Sequence, residues 1–143
     1  MAKVTVQTLP DYTYTVMMSD GAHAFVGDEP PDKGGEGLGP SPYDLLLASL
    51  GSCTAITLLM YARSKQWPLY EVAVSLNHEK VAAEPGQPAL PDGRIDLINV
   101  DIAVRGDLTP EQTQRLLEIA DRCPVHRTLV TPPKIVSTIA GGP

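Results

Sequence analysis

The sequence is poor in cysteine, in positive charge and in long uninterrupted apolar runs. Its only cysteines are Cys53 and Cys123. Two cannot build a disulfide framework, and they fall short of the four ligands of a structural zinc site. The net charge is −6, and no arginine precedes Arg63. Nucleic acids and anionic membranes need a basic patch, so neither is expected as a partner. The most apolar stretch, Leu45–Met60, is interrupted by Ser49, Gly51 and Ser52. It falls short of the roughly 20 residues a bilayer requires, so no membrane span is expected. The opening MAKVTVQTLPDYTYTV has neither the apolar core nor the cleavage site of a signal peptide. These features point to a cytoplasmic protein, in which a disulfide would be transient and chemical. A length of 143 residues suits a single domain, 1–143.

What is present reads as alternating strands around two helices. Lys3–Thr8 and Tyr12–Met17 alternate as strands, Ser19-Asp20-Gly21 offers a hairpin turn, and His23–Val26 returns. Gly27–Pro42 is rich in glycine, proline and acids and reads as a loop. A long helix is expected over Tyr43–Gln66, with Ser41 as its cap. Its apolar residues go most of the way round, so it must be buried on nearly all sides, and a second subunit is expected to help cover it. Glu71–Val81 and Ile95–Arg105 alternate as long strands, the second carrying Ile98, Val100, Ile102 and Val104 on one face. Between them lies a Pro/Gly loop. Thr109-Pro110-Glu111-Gln112 forms a capping box for a second helix. That helix is expected to run to about Arg122, with Pro124 stopping it and Leu116, Ile119, Ala120 and Cys123 on one face. A short final strand is expected over Ile135–Ile139. The order β-β-β-α-β-β-α-β reads as an α+β fold with an antiparallel sheet.

The chemistry of such a chain would rest on its thiols. Either cysteine read alone could be a small buried hydrophobe. Two cysteines on the inner faces of two helices favour a pair, although spacing alone does not place them in contact. Cys123-Pro124-Val125-His126 offers a Cys-x-x-His pair but no second pair of ligands, so no metal is expected. Gly34-Gly35-Glu36-Gly37 lacks the Gly-Lys-Ser/Thr ending of a phosphate loop, and no cofactor is expected. His23 and His78 read as ordinary surface or sheet histidines without evident partners. Asp44 has two readings, as a favourable charge at a helix start or as a group orienting a base near the thiolate.

Two motifs carry a family resemblance. GPSPYDLLLASLGSCTA (39–55) and CPVHRTL (123–129) resemble the two cysteine motifs of the OsmC/Ohr family, the osmotically inducible and organic-hydroperoxide-resistance proteins, with the general OsmC-like branch the nearer. The resemblance extends over essentially the whole chain. It implies an intertwined homodimer with two cysteine-bearing helices packed between sheets. It implies a thiol-dependent peroxidase acting on organic hydroperoxides. Cys53 would attack and become a sulfenic acid, Cys123 would resolve it as a disulfide, and an external dithiol, in some members a lipoylated protein, would reduce that disulfide. Leu50, Ile56 and Met60 would give the substrate apolar walls. The family's glutamate after the helix-start proline is Tyr43 here, with Asp44 one position later, and its N-terminal arginine is absent. By this resemblance the catalytic set is Cys53, Cys123, Asp44 and Arg127. Lys33, Arg63 and His126 are further candidates for the missing cation. The alternative is a non-catalytic ligand-binding or redox-sensing stress protein of the same fold.

Overall fold

A computed structural model describes residues 1–141. Its elements are β1 (Thr5–Thr8), β2 (Val16–Ser19), β3 (Ala24–Gly27), α1 (Pro42–Ser64), β4 (Leu69–Ala82), β5 (Arg94–Gly106), α2 (Pro110–Ala120) and α3 (Pro124–Val130), with a 3-10 turn at Pro31–Lys33. The fold is α+β. Packing divides it into two compact units, residues 1–48 with 80–96, and residues 49–79 with 97 onward.

In the first unit β1, β2 and β3 form an antiparallel sheet in that order, with Thr5 opposite Ser19 and Val16 opposite Gly27. The turn between β2 and β3 falls at the expected place, where Gly21 adopts φ 97° and Asp20 N–H donates to the His23 carbonyl. β2 starts later than its alternation suggests. Leu9, Tyr12 and Thr15 close a turn through backbone bonds, and the Thr13 N–H donates to Glu36 Oε1 at 3.2 Å and not to a strand neighbour. Polar side chains also organise the loop that follows. The buried Asp28 carboxylate accepts from Thr15 Oγ1 and from the amides of Glu29, Glu36 and Leu38. A short carboxylate can satisfy a turning backbone in this way where no ladder exists. His23 does have a partner, since its Nδ1 lies 3.0 Å from Asp20 Oδ2.

In the second unit the core is Leu58 of α1 with Leu116, Ile119 and Ala120 of α2, overlaid by Trp67, Val72, Ile102 and Val104. The predicted inner face of β5 is therefore the half-buried one. β4 and β5 form a two-stranded sheet. Cross-strand pairs Asn77–Asn99 and Glu71–Arg105 step in opposite directions along the two strands, as antiparallel pairing requires. Gly51 lets α1 approach β4, because a Cβ there would sit 2.7 Å from a Leu76 methyl. A side chain at Gly51 would force the Leu76 methyl to shift.

Four expectations change. Ile135–Ile139 is not a strand. It is exposed, to 98% at Ile139, and no strand among the described residues pairs with it; alternation alone does not make a strand without a hydrogen-bonding neighbour. Pro124 does not simply stop α2, which ends at Ala120; it opens α3, a position where its missing N–H costs nothing. Cys123 consequently sits in the link between α2 and α3 as the residue preceding Pro124, and not on a helix. α1 is 23 residues long, and by length and composition it is long enough to cross a membrane, in contrast to the shorter apolar run that the sequence suggests. Only one side of it, with Leu50, Gly51, Thr54, Leu58 and Ala62, is buried within the chain, while Ile56 and Met60 are 56% and 67% exposed.

Candidate active site

The second unit brings the two cysteines together. α1 carries Cys53 near its middle, partly buried, and the α2–α3 link carries Cys123, fully buried. The link is positioned by the capping box of Thr109 and Gln112 at the start of α2, by the burial of Leu116, Ile119 and Ala120, and by the bond from Cys123 N–H to the Ala120 carbonyl. Both thiols are free, and they lie near enough for the titration of each to depend on the other.

Their surroundings are unequal. Burial pushes both thiols up. At Cys53 the hydrogen bond to Cys123 adds to that rise, against weaker help from the Val125 amide and the Thr57 hydroxyl, so its pKa lies above the ordinary thiol value. At Cys123 the Cys53 thiol, the His126 and Val125 amides and the Thr54 hydroxyl outweigh burial and hold the pKa below it. The two thiols titrate as a pair, in which charge is eased at Cys123 and opposed at Cys53; ionising both is opposed, because two negative sulfurs would then face each other.

The remaining predicted residues have other partners or are exposed. Asp44 is the third residue of α1 and forms a reciprocal cap with Ser41. Its Oδ2 accepts from Ser41 N at 2.9 Å and from Ser41 Oγ at 2.7 Å, while Asp44 N donates to Ser41 Oγ at 3.3 Å. The Ser41 hydroxyl, then its amide, and Lys33 hold the Asp44 carboxyl below its usual range. Arg127 is exposed on α3, Arg63 is exposed in the last turn of α1, and His126 Nδ1 lies 3.8 Å from Asp121 Oδ1. None of these three is a principal influence on either sulfur. Among the described residues, no group of three or more His, Cys, Asp or Glu side chains is arranged to hold a metal. A cavity of about 280 Å³ lined by Leu50, Thr54, Val100, Ala120, Asp121 and His126 adjoins the residues that flank Cys123. Thr54 and Thr57 were not singled out by the sequence, although Thr54 stands directly after Cys53.

A family model described as OsmC-like protein matches residues 34–138. The chain belongs to the OsmC-like family. No match was found among curated proteins. Solved structures with this fold include a protein of Psychrobacter arcticus 273-4 named for osmotic stress induction and detoxification response, at 21% identity and TM-score 0.71, covering 90% of this chain and 88% of that one. An organic hydroperoxide resistance protein OsmC from Legionella pneumophila matches at 18% identity and TM-score 0.65, covering 90% and 88%. An organic hydroperoxide resistance protein from Vibrio cholerae O1 biovar eltor, with captopril in one of its active sites, matches at 20% identity and TM-score 0.60, covering 89% and 83%. At these identities the likeness establishes the OsmC-like fold. Within that fold this chain has Tyr43 after the helix-start proline and commits its neighbouring acid, Asp44, to a cap.

Proposed function

We propose that this OsmC-like protein is a redox stress protein that reduces organic hydroperoxides through Cys53 and Cys123. The observation that carries the reading is that the fold brings two free cysteines, far apart in sequence, close enough for each to perturb the other's titration. Cys53 is the partly accessible sulfur and Cys123 the fully buried one, so Cys53 is the attacking group. The Cys123 thiolate takes the Cys53 proton. The Cys53 thiolate then attacks the terminal oxygen of the hydroperoxide, the O–O bond breaks, and Cys53 becomes a sulfenic acid. The departing alkoxide takes the proton from Cys123 and leaves as the alcohol. The Cys123 thiolate attacks the sulfenic sulfur and expels hydroxide, which a solvent proton converts to water. Two thiols of an external dithiol, lipoylated proteins included, return the disulfide to the reduced pair.

The substrate preference follows from the face of α1 that carries Cys53. Ile56 and Met60 follow it at helical spacing and are exposed and apolar. A second copy laid over this face would wall the thiol with apolar side chains, so the working form is a homodimer acting in the cytoplasm. One equivalent of organic hydroperoxide should give an intramolecular Cys53–Cys123 disulfide by mass spectrometry, and Cys53→Ser should abolish hydroperoxide consumption. No consumption by the wild-type protein, with lipoyl and small dithiols both supplied, would sink the proposal. Among the described residues no side-chain cation is a leading influence on either sulfur, which favours one second reading, a redox sensor that forms the same disulfide once without turnover.

A further inference from the structure

The two serine or threonine residues of α1 that are not exposed, Thr54 and Thr57, stand out by what they do not do. Serine and threonine inside helices usually bond back to a carbonyl one turn earlier. Thr113 and Thr128 do so, to the Thr109 and Pro124 carbonyls at 3.2 and 3.1 Å, and Ser52 and Ser64 bond to the Ser49 and Tyr61 carbonyls at 3.1 and 2.7 Å. Among the described residues, Thr54 and Thr57 make no such backbone bond. Thr54 is only 3% exposed, and a hydroxyl buried without a partner carries a penalty.

Their placement supplies the partners. Thr54 lies in the buried stripe of α1 with Leu50 and Leu58, and it lines the cavity shared with Ala120 and His126, residues that flank Cys123. Thr57 is one turn beyond Cys53 and shares its face. We propose that Thr57 and Thr54 are the positioning residues of the thiol pair, Thr57 donating its hydroxyl to the Cys53 sulfur and Thr54 to the Cys123 sulfur, in place of a side-chain cation.

The chemistry favours this assignment. An O–H donor gains strength when its acceptor becomes charged, so each hydroxyl stabilises a thiolate more than a thiol. The placement agrees with this: Thr57 stands one turn from Cys53, Thr54 lines the cavity beside the residues that flank Cys123, and each hydroxyl acts in the direction that eases charge on its sulfur. No charged side chain is a principal influence on either sulfur; the other donors are the Val125 and His126 amides and the thiols themselves. A fixed donor also orients the sulfur. The inference deepens the peroxidase reading and rests on it only for its catalytic meaning.

The test lets each thiol titrate alone. In a Cys123→Ser background, Thr57→Val and Thr57→Ser are compared with the parent by ultraviolet thiolate absorbance against pH. In a Cys53→Ser background the same is done with Thr54→Val and Thr54→Ser. Each valine should cut the thiolate fraction at a given pH about tenfold, and each serine should restore it to within about twofold, as expected for one hydrogen bond to a charged group. Thr→Ala at the same positions carries the test if a valine variant fails to fold, alanine being the better helix former. Folded valine or alanine variants that titrate like the parent overturn the assignment. No hydroperoxide enters this measurement. A shifted titration with an inactive wild type therefore leaves the assignment standing and removes the peroxidase, whereas normal turnover with an unmoved titration removes the assignment alone.

Discussion

Replacing Asp44 by alanine separates a structural role from a catalytic one. Its carboxylate accepts two hydrogen bonds from Ser41, and its own amide is met by the Ser41 hydroxyl, so the substitution removes the acceptor half of a reciprocal cap. Losing a helix cap costs between about 0.5 and 2 kcal/mol. The side chain is exposed, so solvent screening puts the loss in the lower part of that range, about 1 kcal/mol. For a chain of this length that is a fall of about 3 °C in Tm. The pH dependence gives a second signature. Hydrogen bonds from Ser41 and the charge of Lys33 hold the folded pKa of Asp44 down. Its contribution is therefore present in full above the unfolded value of about 3.9 and fades as the pH falls through the lower folded value. The difference between wild type and Asp44→Ala should accordingly be constant near neutrality and close in acid. Urea unfolding across that range measures it, with hydroperoxide turnover recorded in parallel at neutral pH. An unchanged rate with the stability loss fits the cap. A large drop in rate with unchanged stability, and a Cys53 titration moved by the same substitution, would refute the reasoning.

Two further outcomes follow from the packing. Leu58 is fully buried among Leu116, Ile119 and Ala120, so Leu58→Ala should cost about 2–5 kcal/mol in urea unfolding; a loss below about 1 kcal/mol would show that the site collapses onto the gap. Ile56→Glu combined with Met60→Glu places two charges on the exposed apolar face of α1, so sedimentation should find a monomer in place of the proposed wild-type dimer. A wild-type protein that sediments as a monomer at micromolar concentration would remove the second copy from the mechanism.

Local signals in the sequence determined much of this protein. The Asp-Gly turn, the capping box at Thr109, the alternation of the two long strands and the proline-led start of α1 each act over a few residues, and each formed where it was expected. The motifs around Cys53 and Cys123 likewise fixed the family. What failed to be legible depended on partners distant in the chain. The Ile135–Ile139 segment has a strand's alternation but no strand beside it among the described residues. Pro124 reads equally well as the end of one helix or the start of another, and the early end of α2 decided for the start. The Ser41–Asp44 cap is local, three residues apart, and so was open to a reading of the sequence; tertiary structure closed Asp28 onto the loop and brought Thr54 into the cavity beside the residues that flank Cys123. It also decided the balance within the thiol pair, because a sulfur's preference for charge depends on which amides and hydroxyls the fold brings to it, and no spacing in the sequence records that.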